Sequence, residues 1–321
     1  MNKILSIIIP VYNAEKYIEK CLESIFLNLG NDIEVIIIDD GSTDNSLCLI
    51  KKIIKCYDVS NNNIKLLTQV NQGQSVARNN ALDVSSGEYV AFIDADDYIS
   101  SLYFKKVLSI IKNEKPDLIK INAKKFLLDE YGDFHELNFE SFNDNGLKLI
   151  DSTLRKNLFN DNYWYACLTI IKKKLIEKRF PIGIYFEDAI FMSEIYANAF
   201  NIYFLPNKIY FYRHHINSSL NNKNNKNIQK IDKSYEICLN YFSLRMYDNE
   251  FFAISYITFL KSYCVFLLQN KKIYKSFYVH SKYKENLKKT PCNLLTKNSI
   301  IYYRKFGFFM ILLLFIKGGL S

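Results

Sequence analysis

Hydrophobic and polar positions along the first hundred residues follow the pattern of a parallel sheet covered by helices. Short aliphatic runs predict strands, and apolar positions three and four residues apart predict helices between them. The predicted strands are Leu5–Pro10, Glu34–Asp39, Ile64–Gln69 and Glu88–Asp94. Of the three intervening helices, we expect Asn13 to cap the first. This order of elements is typical of the nucleotide-binding half of a doubly wound α/β domain.

Beyond residue 97 the pattern is less regular. We predict a helix over Leu102–Asn113, a strand over Leu118–Asn122 and an irregular loop or lid over Asp129–Asn145. Helix and strand return over residues 148–178, and a turn at Phe180–Gly183 precedes a helix that contains Glu187 and Asp188. The tract Asn221–Asn227 is the predicted boundary. We therefore divide the chain into residues 1–98, 99–220 and 221–321, the last part mainly helical.

Charge is distributed unevenly over these three regions. The chain has 321 residues and a formal net charge of +9, but the net charge is −6 over residues 1–98, +3 over 99–220 and +12 over 221–321. A composition that is 49% hydrophobic and 15% aromatic excludes a disordered polymer. Since long apolar runs interrupt the basic tail, we expect no nucleic-acid partner.

Cysteine usage and the first residues bear on the compartment. The seven cysteines form no C-x-x-C pair, and their number is odd. This favours a reducing compartment over a disulfide framework or a zinc site. Residues 1–10 lack the long apolar segment and the cleavage site of a signal peptide. We expect a cytoplasmic location.

Two carboxylates follow the fourth predicted strand, in the sequence Asp94-Ala95-Asp96. Residues two apart in a strand face the same side, so both side chains are expected to reach one ligand at the carboxyl edge of the sheet. Carboxylate oxygens suit Mg²⁺ or Mn²⁺, which commonly also bind substrate phosphates. The alternative is a solvated acidic turn at the start of a helix.

Four stretches in order resemble the family 2 glycosyltransferases, which have the GT-A fold and use nucleotide-sugar donors. They are Ser6–Asn13, Ile38–Asp44, Asn71–Asn79 and Gly87–Asp96. A weaker resemblance continues through Tyr185–Asp188 and Tyr212–His215, and it covers about two thirds of the chain. It implies a Rossmann-like, mostly parallel sheet whose first half, residues 1–98, binds the nucleotide sugar and whose second half, residues 99–220, binds the acceptor.

The resemblance also implies a donor site. Pro10 and Tyr12 would line the nucleotide base, Asp40 would accept a hydrogen bond from the uracil N3–H, Arg78 would be the donor-site arginine, Asp94 would contact ribose or assist the metal, and Asp96 would be the principal ligand of Mn²⁺ or Mg²⁺. The alternative for Asp40 is a turn carboxylate that caps the next helix. Arg78 has a surface ion pair as its alternative.

Asp188 is the predicted general base, since it resembles the aspartate that takes the acceptor proton in inverting enzymes of this family. Its alternative role is to stabilise a helix N-terminus, together with Glu187. A histidine near the Tyr-Arg sequence in similar enzymes completes the metal or diphosphate site. We prefer His215 over the adjacent His214, and two solvated loop histidines are the alternative.

The basic tail contains two strongly apolar segments. Lys261 lies in the middle of Phe251–Leu268, which favours a buried helix over a membrane span. Phe306–Ile316 has 11 residues, too few to span a bilayer, and aromatic and cationic residues flank it. This pattern predicts peripheral binding at the cytoplasmic face of the inner membrane, and packing within the tail or against a subunit is the alternative.

The predicted function is an inverting, metal-dependent transfer of a single sugar. The donor would be a UDP-sugar, and the acceptor a hydroxyl of a lipopolysaccharide, O-antigen or capsule glycan, carried on a lipid. Trp164 is the sole tryptophan and does not follow the Q-x-x-R pattern, so the signature of processive synthases is absent. The alternatives are a sugar-phosphate nucleotidyltransferase and a non-catalytic module that binds membranes or polyanions.

Overall fold

The fold is taken from a computed structural model that describes residues 3–57, 63–129, 132–162, 164–215 and 224–316. The chain forms two compact units. The first comprises Met1–Ile150, Tyr165–Gly183 and Asn198–Ser218, and the second comprises Asp151–Trp164, Ile184–Ala197 and Ser219–Ser321.

Over the residues that the structure describes, a sheet of ten strands forms the centre of the first unit. The strands are β1 (Leu5–Val11), β2 (Ile33–Asp39), β3 (Ile64–Thr68), β4 (Tyr89–Phe92), β5 (Tyr98–Ile99), β6 (Leu118–Leu128), β7 (Phe134–Leu137), β8 (Gly146–Leu149), β9 (Thr169–Lys172) and β10 (Asn201–Arg213). Their order is β3-β2-β1-β4-β9-β6-β10-β5, with β7 paired to β6 and β8 to β10.

In the described part of this unit the α-helices are α1 (Ile18–Phe26), α2 (Ser46–Cys56), α3 (Gln74–Val84) and α4 (Tyr103–Glu114). Strands β1 to β4 pair in parallel, and every residue of β2 is buried. Strands covered on both faces read as continuous aliphatic runs, which explains why the sequence pattern located them. The prediction of a Rossmann-like sheet flanked by helices is confirmed, and the C-terminal region is mainly helical, as predicted. The sheet is mixed, because β5, β7, β8 and β9 pair antiparallel with their neighbours.

Three local predictions are wrong. Asn13 does not cap α1, which begins at Ile18; its own φ is +50° and its Oδ1 accepts a hydrogen bond from the Thr43 N–H at 2.8 Å. Strand β4 ends at Phe92, so Asp94 and Asp96 lie in the following turn and not in a strand. Within the predicted irregular lid, β7 pairs antiparallel with the end of β6. Because β7 is mostly exposed, it carries no hydrophobic pattern.

The second unit is helical. Its helices are α5 (Ser152–Asn160), α6 (Glu187–Asn198, whose last residue belongs to the first unit), α7 (Asn225–Arg245), α8 (Phe252–Gln269), α9 (Ile273–Lys289), α10 (Asn298–Phe306) and α11 (Phe308–Ile316). Helix α7 begins inside the asparagine-rich tract, where the Asn224 side chain accepts a hydrogen bond from the Asn227 N–H at 2.7 Å. The first residues of that tract, 221–223, lie outside the described part of the chain.

Helix α8 lies in the core of the second unit. Its rings Tyr256 and Tyr263 are fully buried, and the Tyr256 hydroxyl donates to the Tyr283 carbonyl of α9 at 2.8 Å. Among the described residues, α8 is the helix long and apolar enough to cross a membrane, and 67% of it is buried inside the protein. Core helices of soluble proteins have the same composition.

Candidate active site

The loops after β1 and β2 bind to each other. The Asp40 N–H donates to the Val11 carbonyl at 2.7 Å, and the Glu15 N–H donates to the Asp44 carboxylate at 3.0 Å. Between these contacts, Asn13 accepts from Thr43. The motifs Ser6–Asn13 and Ile38–Asp44 therefore meet at the carboxyl end of the parallel strands, and the surface that they form together there is the ledge. Two predicted base-binding residues lie on this ledge: Tyr12 is 51% exposed, and Pro10 is half-buried.

Asp40 joins this ledge to the third motif. It is buried, and its Oδ1 accepts from the Gln72 N–H at 2.9 Å and the Gln69 side-chain amide at 2.7 Å, whereas its Oδ2 accepts from the Gly73 N–H at 2.8 Å. Glycine at position 41 allows the third motif to lie this close to Asp40, because a Cβ at Gly41 would lie 2.8 Å from the Asn71 nitrogen. Asp40 thus fixes the turn before α3 instead of capping α2.

Arg78 and Asp94 form an ion pair, with 2.8 Å between the Arg78 Nη2 and the Asp94 Oδ1. The arginine is only 3% exposed, and its guanidinium lies 5.2 Å from the centre of the Phe180 ring. A surface ion pair, the alternative considered for Arg78, is therefore excluded. Helix α3 carries Arg78 to the turn after β4, where it orients the first carboxylate of the Asp94-Ala95-Asp96 sequence.

Asp97, which the sequence analysis did not single out, holds this acidic turn to the end of β10. Its Oδ2 accepts from the Tyr210 hydroxyl and its Oδ1 from the Arg213 N–H, both at 2.7 Å, and the Arg213 Nε donates to the Asp96 carbonyl at 2.9 Å. Burial, and then the nearby charges of Asp96 and Asp94, raise the pKa of Asp97 well above its ordinary value. In the sequence, the signal that could have pointed to Asp97 is its position directly after Asp94-Ala95-Asp96.

His215 lies beside Asp96, with 2.8 Å between the imidazole Nε2 and the carboxylate Oδ2. Its ring also contacts Tyr17 edge to face, at 5.1 Å between ring centres. His214 points its backbone N–H at the Phe126 carbonyl, 2.7 Å away, and so continues the pairing of β10 with β6. Of the two adjacent histidines, His215 is the one whose ring meets the acidic turn.

A group of three side chains could hold a metal ion. The ligand atoms of Asp94, Asp97 and Cys167 all lie within 4.8 Å of one another. The two carboxylates suit a hard cation such as Mg²⁺ or Mn²⁺, and the buried thiol is a softer donor. Of the predicted ligands Asp94, Asp96 and His215, this group includes Asp94, while Asp96 and His215 pair with each other alongside it.

Asp188 belongs to the second unit, in the first turn of α6. It is half-exposed, and the preceding Phe186 has a φ of +65°, which is uncommon for a bulky residue. Contacts to α7 stabilise this turn: the Tyr185 N–H donates to the Ser234 hydroxyl at 2.9 Å, and the Phe186 ring lies 4.8 Å from the Tyr235 ring. The strained turn fixes the start of α6, and with it the position of Asp188 in the first turn of that helix.

Solved structures of TarS from Staphylococcus aureus share this architecture. Residues 1–349 of TarS superpose with a TM-score of 0.70 at 21% identity, over 94% of this chain and 87% of that chain. The complex of the same fragment with UDP-GlcNAc gives a TM-score of 0.68 at 20% identity. The mixed sheet flanked by helices, with carboxylates beyond β4, thus resembles the GT-A fold of TarS.

The chain belongs to glycosyl transferase family 2, whose model matches residues 6–180, as the sequence motifs implied. The uncharacterized glycosyltransferase YibD of Escherichia coli is 30% identical over 230 residues, 70% of this chain and 66% of the relative. Glycosyltransferase GlyA of Streptococcus pneumoniae is 30% identical over 217 residues, which are 65% of this chain but 30% of that protein.

A third relative is the teichoic acid poly(glycerol phosphate) polymerase of Staphylococcus epidermidis. It is 38% identical over 157 residues, 49% of this chain and 21% of the polymerase. These matches favour a glycosyltransferase over the nucleotidyltransferase and the non-catalytic module considered above.

Proposed function

We propose that this protein is an inverting, metal-dependent glycosyltransferase that moves a single sugar from a UDP-sugar to a hydroxyl of a bacterial surface glycan. One observation carries the proposal: Arg78 and His215 each pair with a carboxylate of the turn that follows β4, at 2.8 Å in both cases. Such a turn, at the carboxyl edge of parallel strands, is where nucleotide ligands bind in open α/β sheets. The TarS complexes with UDP-GlcNAc and UDP support the choice of donor.

Recognition of the base is assigned to Pro10, Tyr12 and Asp40. Tyr12 offers an exposed ring against which a pyrimidine can pack. The Asp40 carboxylate has about four acceptor positions, and Gln69, Gln72 and Gly73 use three of them. The remaining position is the one we assign to the uracil N3–H.

Asp96, Asp94 and His215 are the residues we assign to Mn²⁺ or Mg²⁺, with Asp97 and Cys167 next to them. The ion would offset the negative charge that develops on the departing diphosphate. Arg78 and His215 prepare this site by orienting the two carboxylates, and Asp97 holds the turn that carries them.

Asp188 is the general base that we propose for the acceptor hydroxyl. It lies in the first turn of α6, and a carboxylate is one of the side chains that act as general bases. The variant Asp188→Asn should bind UDP normally but lose transfer by two or more orders of magnitude, roughly the contribution of a general base. The matched control is Asp151→Asn, which changes a carboxylate that caps α5. Normal transfer by Asp188→Asn would contradict the assignment.

For the acceptor we propose a lipid-linked surface glycan at the cytoplasmic face of the membrane. The similarity to a teichoic acid polymerase adds the teichoic acid class to the lipopolysaccharide, O-antigen and capsule types. The net charge of +12 over residues 221–321 would attract the chain to an anionic surface.

A screen of nucleotide sugars by thermal shift, with and without Mn²⁺, tests the donor. A ligand that binds only the folded chain raises its melting temperature, so we expect UDP-sugars to stabilise more than ADP- or GDP-sugars. The best donor is then incubated with candidate acceptors, and mass spectrometry should detect one added sugar per acceptor. Ladders of several added sugars would contradict single transfer, and stabilisation by nucleoside triphosphates alone would contradict the donor class.

A further inference from the structure

Helix α9 presents large apolar side chains to solvent. Ile273, Tyr274, Phe277 and Tyr278 are all more than half exposed, and Tyr274 is 94% exposed. They lie on adjacent turns of one helix, so they form a single patch and not scattered residues. Contiguous apolar patches of this kind on a protein surface mark sites of interaction.

The patch continues onto the last two helices. The Phe277 ring lies 5.6 Å from the ring of Phe308, the first residue of α11, and the neighbouring Phe309 is 63% exposed. Within the predicted membrane segment Phe306–Ile316, Gly307 separates α10 from α11, and Met310 and Ile311 are buried. Part of that segment therefore packs inside the second unit, whereas Phe306 and Phe309 of the same segment are exposed.

Lysines surround the patch. Between Lys271 and Lys305 the chain has ten Lys and Arg residues and a single acidic residue, Glu285. Lys271 and Lys282, both exposed, lie at either end of the stripe that contains Tyr274 and Tyr278. Aromatic rings with lysines at their borders suit the boundary between lipid headgroups and acyl chains.

Ion pairs on the inner side hold α9 in place. Lys272 and Lys275 lie 3.2 and 2.8 Å from the buried Asp232 carboxylate of α7, which also accepts from the Tyr263 hydroxyl of α8. Lys275 also lies 3.2 Å from the Glu236 carboxylate of α7, so two carboxylates offset the charges of the two lysines. The outer face of α9 is thus fixed by packing and does not need to fold when it meets a partner.

We propose that the outer face of α9, formed by Tyr274, Phe277, Tyr278 and Lys282 together with Lys271 just before the helix, docks the protein on an anionic phospholipid surface. The inference deepens the membrane association in the proposed function by locating it on α9. The positive charge requires an anionic partner, and the apolar side chains require one with a hydrocarbon layer. A nucleic acid satisfies the first requirement, but it offers no hydrocarbon layer for Ile273.

Co-sedimentation of the full chain with vesicles tests the aromatic residues. We expect binding to mixed phosphatidylglycerol and phosphatidylcholine vesicles and little to pure phosphatidylcholine. Phe277→Ser combined with Tyr278→Ser should lower binding by about tenfold or more, since each ring loses more than 1 kcal/mol of burial. Phe200→Ser, at an exposed ring of the first unit, is the matched control and should bind as the wild type does. Unchanged binding of the double variant would overturn the proposal.

The charges are tested separately. Lys271→Gln and Lys282→Gln should each weaken binding about fivefold, because one lysine near an anionic surface contributes about 1 kcal/mol. Lys51→Gln and Lys52→Gln, in the exposed part of α2, should change nothing. If both pairs of variants weaken binding equally, the attraction comes from net charge and the α9 assignment is wrong.

Two further measurements separate this inference from the proposed function. UDP binding is titrated for every variant, and we expect wild-type affinity throughout. Normal UDP binding without vesicle binding would overturn the docking surface alone, whereas vesicle binding without UDP binding would overturn the enzyme function alone. Binding of poly(U) that disappears in the aromatic double variant would assign the face to a nucleic acid and contradict our proposal.

Discussion

The imidazole Nε2 of His215 lies 2.8 Å from the carboxylate Oδ2 of Asp96, although the two residues are 119 positions apart in the chain. Strand β10 brings them together, because Asp97 binds both Tyr210 and Arg213 near the end of that strand. His215 follows two residues after Arg213 and therefore reaches the acidic turn. A carboxylate and an imidazole in this arrangement provide hard and intermediate ligand atoms side by side.

Replacement of His215 tests the role of this pair. His215→Ala should reduce the Mn²⁺-dependent affinity for UDP by about tenfold or more, since groups that ligate or orient metal ligands contribute on that scale. Isothermal titration of UDP with and without Mn²⁺ measures the effect. His214→Ala is the matched control, because His214 contributes its backbone N–H to the sheet and should leave the affinity unchanged. Equal losses in both variants would mean that the site is not organised around His215.

Arg78 should contribute to stability as well as to donor binding. Arg78→Met leaves the Asp94 carboxylate without its buried partner, and we expect a loss of about 2–3 kcal/mol in the free energy of unfolding. The comparison is Arg179→Met, which breaks the exposed pair with Asp83 and should cost less than about 1 kcal/mol. Denaturant unfolding measures both. A smaller loss for Arg78 than for Arg179 would contradict the buried ion pair.

Gly87 allows β4 to lie against β1. A Cβ at this position would be 2.6 Å from both the nitrogen and the Oγ of Ser6, and the backbone there is held by strand pairing. Gly87→Ala should therefore destabilise the protein by about 1–3 kcal/mol, as overpacking does in a dense core. Gly30→Ala is the control, since a Cβ at Gly30 meets no atom within 4 Å. If Gly87→Ala melted at the same temperature as Gly30→Ala, the close contact between position 87 and Ser6 would be contradicted.

Glu34 makes stability depend on pH. Burial alone would raise its pKa, but hydrogen bonds from Ser6, Ser86 and Lys65 outweigh burial and lower the pKa from 4.5 to about 2. The folded chain therefore binds this proton more weakly than the unfolded chain, so the contribution is complete above pH 4.5 and is lost as the pH falls toward 2.

Glu34→Gln should accordingly be less stable than the wild type at pH 7, and the difference should shrink between pH 4.5 and pH 2. Urea unfolding over this range measures it, with Glu88→Gln as a control in an exposed carboxylate paired to Lys172. A difference that stays constant with pH would contradict the buried ionised state of Glu34.

The parallel half of the fold could be predicted because burial on both faces leaves a direct record in the sequence. Strands β1 and β2 are aliphatic runs for this reason, and α1 shows a clear apolar face. The acidic turn after β4 could be predicted as well, since ligand sites in such sheets follow strand ends. What failed was the placement of Asp94 and Asp96 on a strand, because β4 ends at Phe92 and both residues lie in the turn that follows.

Contacts between distant segments could not be predicted. Asp97 binds residues 113 and 116 positions later, and no periodicity in a single sequence records that distance. The role of Asp40 in fixing Gln72 and Gly73 depends in the same way on β2 and β3 lying side by side. Exposed elements such as β7 left no hydrophobic pattern. The sequence of α9 also does not tell which of its apolar side chains face solvent, since that depends on how α9 packs against α7 and α8.

Titration of UDP into wild type and Asp96→Asn, with and without Mn²⁺, tests the central claim most directly. The wild type should bind UDP at least about tenfold more tightly with Mn²⁺, and Asp96→Asn should lose that increment and sugar transfer while its melting temperature stays unchanged. Full metal-dependent UDP binding and turnover in Asp96→Asn would contradict the assignment of this turn as the donor site.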